Sequence, residues 1–159
     1  MYRHAASCPL CDSDPSWTLL DSNHFSVSSG PTSREYIIFP KEHITSLADI
    51  PEAWLEEFHR LTELIHRMIR ADRGSSALYE HAGLNGWDSL LNHRDDHDHA
   101  HMHCAPSLAE GGVTRIATPD CRVLASWRDL WRLRRESLAG LPYLYLEDES
   151  GRRLVVSDG

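Results

Sequence analysis

The stretch His97-Asp98-His99-Ala100-His101-Met102-His103-Cys104-Ala105-Pro106 carries a histidine at every second position, four times over. In an extended strand, side chains alternate faces with a period of two. An extended reading therefore sends His97, His99, His101 and His103 to one side and leaves Ala100, Met102 and Cys104 to pack on a core. A helix would scatter the four imidazoles around its circumference, so the spacing predicts a strand with one histidine-lined face. Imidazole has its ordinary pKa close to neutrality. A row of imidazoles can bind a metal, hold an anion or attack phosphorus; the bland alternative is a histidine-rich surface patch with no role.

The elements around this strand are legible from periodicity and punctuation. Trp17 to Leu20 and His24 to Val27 read as short strands joined by a turn at Asp21-Ser22-Asn23. Glu35-Tyr-Ile-Ile-Phe-Pro40 has high β-propensity and stops at its proline. Pro51 to Ala71 predicts the main helix, with an apolar stripe of Trp54, Leu55, Phe58, Leu61, Ile65, Met68 and Ile69. His59 and His66 fall off that stripe and read as surface residues. Ala77 to His81 reads as a strand, and Gly83 to Asp96 as a long polar loop leading into the histidines. Beyond Pro106 the chain looks irregular as far as Pro119. Ser126-Trp-Arg-Asp129 then has the form of a helix start with an acid at its third position. Trp127, Leu130, Trp131 and Leu138 give that helix an apolar face, and Gly140 and Pro142 stop it. Tyr143 to Leu146 and Arg153 to Val156 flank an acidic turn and predict a hairpin. The expectation is one α+β domain over residues 1–159. It would hold a mostly antiparallel sheet, one main helix on its face, a second C-terminal helix and a C-terminal hairpin.

Composition narrows the function. The chain has 159 residues, 41% of them apolar and 25% charged, as in ordinary globular domains. No run approaches the length of a membrane span, and the first residues lack a charged-then-apolar signal pattern; the expected location is cytoplasmic. A formal net charge of −8 argues against a general nucleic-acid binder. The only basic stretch, Arg128 to Arg135, is diluted by Asp129 and Glu136. Of four cysteines, Cys8 and Cys11 form a Cys-x-x-Cys knuckle. In a reducing compartment this reads as metal-binding or redox before disulfide, and no βαβ pattern follows to favour redox.

His99-x-His101-x-His103-x-x-Pro106 resembles the signature of the histidine triad (HIT) family of nucleotide hydrolases and transferases. Two further stretches resemble the same family: Ile37 to Leu47, where a strand ends in Pro40-Lys-x-His43, and Tyr79-Glu80-His81-Ala-Gly83, which is similar to a Glu-His-Gly element of a bacterial branch with Ala82 inserted. The resemblance covers about Cys8 to Pro106 and so implies a domain core at 8–106 with a C-terminal extension at 107–159. It implies a structural zinc held by Cys8, Cys11, His43 and His99, with His97 and Cys121 as competing ligands. It also implies that His101 is a nucleophile attacking the α-phosphorus of a nucleotide or nucleotide conjugate to form a nucleotidyl-histidine, and that His103 stabilises charge on the phosphate. A homodimer is implied as well, with Trp127 and Trp131 available to its interface or to the core. Cleavage of a P–N bond and non-catalytic nucleotide or zinc binding are the alternatives. The sequence departs from the family where Arg34-Glu35 replaces a Gly-His pair and where Asp95 replaces a glutamine. Both add negative charge near the expected phosphate position, which Arg34 or Arg94 would offset; Asp95 and Arg34 are therefore candidate substrate contacts.

Overall fold

A computed structural model describes residues 8–12, 15–30, 34–82, 99–106 and 121–157. The expectations at Asp95, Arg94, His97, the loop 83–96 and the irregular stretch 107–119 lie outside these residues.

Eight strands form one antiparallel sheet: β1 (Thr18–Asp21), β2 (Phe25–Ser29), β3 (Tyr36–Pro40), β4 (Ala77–Ala82), β5 (Met102–Ala105), β6 (Cys121–Leu124), β7 (Tyr143–Glu147) and β8 (Arg153–Val156). Their spatial order is β1-β2-β3-β5-β4-β7-β8-β6. The last histidine of the row therefore lies on a central strand, between β3 and β4. His103 is opposite Ile37 on one side and Tyr79 on the other, while Cys104 is opposite Tyr36 and Leu78. Directly opposed residues share a face. Met102, Cys104, Ile38 and Leu78 join the hydrophobic core, against which helix α1 (Leu55–Arg73) packs. His103 and Tyr79 occupy the other face.

The alternation predicts a histidine strand from residue 97; the ladder begins only at Met102. His99 and Ala100 are held by other bonds. The Ala100 N–H donates to the Ile44 carbonyl at 2.6 Å, and the His99 Nε2–H donates to the Pro40 carbonyl at 2.8 Å. These tie the chain to the segment after β3 instead of extending the ladder.

The main helix differs from its expected form in three ways. A single 3₁₀ turn, Glu52–Trp54, precedes α1, so Pro51 caps that turn and the α-helix starts at Leu55. Met68 is 45% exposed, because the inward arc runs Leu55, Phe58, Leu61, Thr62, Ile65, His66, Ile69 and leaves Met68 at its edge. His66, expected on the surface, is buried: its Nδ1 bonds the Ser76 hydroxyl, and its Nε2 lies 3.8 Å from Glu147 Oε1. The helix ends at Gly74, whose φ of +80° suits a residue with no Cβ.

Helix α2 (Trp127–Glu136) starts as expected, with the Asp129 carboxylate accepting from the Ser126 N–H at 2.8 Å. Its tryptophans serve the core. Trp127 is buried edge-on to Tyr145, and Trp131 donates to the Ile50 carbonyl at 3.0 Å. Arg134 fastens the helix end by pairing with Asp49 at 3.1 Å and donating to the carbonyls of Leu138 and Leu141 at 2.6 Å. The expected hairpin is β7–β8. The short edge strand β6, beyond it, is not anticipated from sequence. Among the described residues no helix is long and apolar enough to cross a membrane.

One buried acid sits beneath this frame. Glu80 is fully buried and accepts from the Leu47 N–H at 2.7 Å and the Tyr143 hydroxyl at 2.6 Å. Burial raises its pKa from 4.5 to about 7 against the opposing pull of those bonds. The folded chain thus keeps a proton that the unfolded chain releases near 4.5. Its contribution to stability is greatest below that pH and declines as pH rises towards 7, because the native state then binds more protons than the unfolded state. Urea midpoints measured at pH 5 and pH 8 should fall more steeply for the wild type than for Glu80→Gln, whose side chain cannot titrate.

Candidate functional site

Two clusters of ligating side chains meet around His99. The first joins Cys8 and Cys11, from a tight turn closed by the Asp12 N–H on the Cys8 carbonyl at 3.0 Å, to His43 just after β3 and His99 just before β5. His99 Nδ1 lies 3.3 Å from Cys8 Sγ and 3.4 Å from Cys11 Sγ, and His43 Nδ1 lies 3.3 Å from Cys11 Sγ. All four ligand atoms fall within 4.8 Å of one another. The sulfur–nitrogen edge of a tetrahedron with metal–sulfur bonds near 2.3 Å and metal–nitrogen bonds near 2.0 Å is about 3.5 Å, close to these separations. The tautomer agrees: His99 Nε2 faces the Pro40 carbonyl and so carries the proton, leaving a lone pair on Nδ1 aimed at the sulfurs. Burial pushes the His99 imidazole down to about 4, which keeps the ring neutral, the form that ligates. Cys8, Cys11, His43 and His99 could therefore hold a metal ion. Cys121 lies on β6, outside this cluster, and Cys104 is fully buried on the core face, where burial raises its thiol pKa.

The second cluster is His81, His101 and His103, whose ligand atoms also lie within 4.8 Å of one another. His101 Nδ1 is 2.8 Å from the His99 carbonyl, and its Nε2 is 3.0 Å from His103 Nε2. A ring nitrogen facing a carbonyl must donate, so the His101 proton is on Nδ1. In the neutral ring Nε2 then has the lone pair, and His103 Nε2–H donates to it. The Tyr79 ring stacks on His103, with centroids 4.5 Å apart and planes 3° from parallel. The Tyr79 hydroxyl donates to Glu35 Oε1 at 3.1 Å, and burial raises the Tyr79 pKa.

Continuing the β4–β5 register beyond Tyr79↔His103 sets His81 opposite His101, with their ring centroids 5.7 Å apart. His81 and Tyr79 carry no assigned role in the sequence, although their two-residue spacing on β4 marks them for one face. Among the described residues of the histidine row, His101 and His103 share the expected face. His99 is turned to the cysteines, because the ladder starts after it, and His97 is outside the described residues. Glu35 accepts the Tyr79 hydroxyl, so its charge is directed at the support of His103. Arg34 is exposed and makes no hydrogen bond or ion pair among the described residues; Asp95 is not among them.

No protein-family model matches this chain, and no curated protein matches it significantly. The chemistry of the site therefore rests on its geometry. A Cys₂His₂ set, buried at Cys8 and His99 and part-buried at Cys11 and His43, sits next to an imidazole whose Nδ1 faces a carbonyl and whose Nε2 faces a second ring nitrogen. Elemental analysis of the purified protein should find one divalent ion per chain retained through dialysis. Cys8→Ser or Cys11→Ser should release it and cost a few kcal/mol, which is roughly 5–12 °C in Tm for a chain of this size.

Proposed function

We propose that the protein is a histidine-triad-type nucleotide hydrolase or nucleotidyl transferase in which His101 is the nucleophile. The observation that carries this is the orientation of one ring: His101 has Nδ1 against the His99 carbonyl and Nε2 against a donor, His103. Fixing one nitrogen as N–H holds the other as a lone pair, the form required for attack. His101 Nε2 attacks the α-phosphorus, an N–P bond forms, and the bond from phosphorus to the leaving group breaks. Water or another acceptor then attacks the same phosphorus and breaks the N–P bond, which restores the imidazole. Splitting one hard displacement into two is the advantage of the covalent route. His103, its plane set by Tyr79, offers Nε2–H to phosphate oxygens and stabilises their developing charge.

In this reading the metal is zinc. Two thiolates and two imidazoles are a common structural zinc set, and four protein ligands leave no open position for catalysis. The ion ties the Cys8–Cys11 turn to the residue whose carbonyl orients the nucleophile. Cleavage of a nucleotide P–N bond is a second reading, favoured by the same His103 N–H: an amine leaving group must be protonated as it departs, and that donor is in place.

Incubation with labelled dinucleoside polyphosphates, aminoacyl or sulfonyl adenylates and nucleoside phosphoramidates, followed by acid-free trapping, should reveal a protein-bound nucleotide. His101→Ala should lower turnover on the order of 10³-fold or more, as removal of a nucleophile does. His103→Ala should cost about 10²-fold, the loss of one charge-stabilising donor. His99→Ala should lose zinc and stability as well as activity. Saturable nucleotide binding with no product would point to a non-catalytic binding protein, and undiminished turnover in His101→Ala would remove it as nucleophile.

A further inference from the structure

We propose that His81, His101 and His103 form a second metal site, separate from the Cys₂His₂ cluster, that takes a borderline transition cation such as Zn²⁺ and in doing so blocks the nucleophile. Two separate pieces of chain deliver the ligands: β4 carries His81, and the continuous segment running into β5 carries His101 and His103. Their ligand atoms lie within 4.8 Å of one another, and the His101 and His103 Nε2 atoms are already 3.0 Å apart. Three imidazoles round a tetrahedral ion need nitrogen separations of about 3.3 Å, given metal–nitrogen bonds near 2.0 Å. Closing the set to that spacing asks for a shift of at most about 1.5 Å between ligand atoms that now lie within 4.8 Å.

Two features outside the ligand set favour an ion here. The His101 Nδ1–H bond to the His99 carbonyl is the outer bond by which proteins orient a ligating imidazole. The Tyr79 stack holds the His103 ring in place. The ligands are all nitrogen, which suits zinc, copper or nickel and disfavours magnesium and calcium. Three protein ligands leave a fourth position for water or a phosphate oxygen.

The regulatory consequence rests on the proposed role of His101. The lone pair that would attack phosphorus is the one that would bind the ion, so metal occupancy and nucleophilic attack exclude each other. Ligation through His103 Nε2 requires the proton of that neutral ring to move to Nδ1, which removes the Nε2–H donor to the phosphate. The site would make turnover sensitive to free zinc while the Cys₂His₂ ion stays in place.

The test is calorimetric titration of Zn²⁺ into full-length protein that already retains its tightly held ion, with elemental analysis at each end. One additional ion per chain should bind. His81→Asn and His103→Asn should each weaken that event at least ~100-fold, since even outer-shell changes cost 10–100-fold, and should leave the tightly held ion in place. Cu²⁺ added at one equivalent to the wild type should give an electron paramagnetic resonance spectrum with nitrogen hyperfine structure and no thiolate charge-transfer band, a readout that needs no variant. A wild type that takes up no second ion, or takes it up equally in His81→Asn, overturns the site. If it binds two ions and the second raises nucleotide turnover, blocking of the nucleophile is overturned. Two ions with no nucleotide turnover at any zinc level would refute the function and leave the site standing, whereas turnover in a protein that takes up no second ion would do the reverse, and two ions with turnover indifferent to zinc would overturn the blocking alone.

Discussion

His99 is bonded in three directions, and the site depends on all three. Its Nδ1 points at the sulfurs of Cys8 and Cys11, its Nε2–H is on the Pro40 carbonyl, and its own carbonyl receives Nδ1–H of His101. The ring is almost wholly buried, so each polar atom left unmatched would be costly. One residue therefore closes the Cys₂His₂ cluster, pins the chain to the end of β3 and sets the tautomer of the next histidine. The Cys₂His₂ cluster and the orienting bond to His101 are, in this structure, at two ends of the same residue.

The sheet makes that arrangement possible. Inserting β5 between β3 and β4 brings three histidine-bearing segments together: the turn after β3 with His43, the approach to β5 with His99 and His101, and β4 with His81. The core face of β5, through Met102 and Cys104, packs into the hydrophobic cluster with α1 above it, and this holds His103 on the opposite face with little freedom to move. Helix α2 works at a distance: Trp127 and Arg134 secure it against the core and against Asp49, close to the segment that donates to Glu80.

Much of the frame is legible from local signals. The β7–β8 hairpin follows from alternation, and the start of α2 from the Ser126/Asp129 pair; the stop at Gly140 matches its positive φ. What stays hidden depends on partners distant in sequence. His66 lies off the apolar stripe and gives no sign that Ser76 and Glu147 will bury it. The strand β6 is four residues long with Arg122 and Val123 exposed, so alternation there is too short to read. The histidine row is half legible: period two gives the shared face of His101 and His103, but not the turn of His99 towards the cysteines, which depends on where the ladder begins. His81 could not be placed without knowing that β4 and β5 are neighbours. Residue spacing shows the Cys-x-x-Cys knuckle and the histidine motif separately; the family resemblance joins Cys8, Cys11, His43 and His99 into one set, and the fold brings those four within bonding range of one ion.

The central claim is that the ion-binding cluster sets the protonation of His101 through the His99 carbonyl. Nitrogen-15 chemical shifts of the histidine rings, recorded on ion-loaded protein and again after chelation at fixed pH, read this directly. The account predicts that loaded protein holds His101 as the Nδ1–H tautomer with Nε2 unprotonated, and that chelation replaces this with a mixture of tautomers or a raised pKa while the sheet remains folded by circular dichroism. A His101 signal showing the same single tautomer with and without the ion would contradict it, as would a loaded protein in which Nε2 carries the proton.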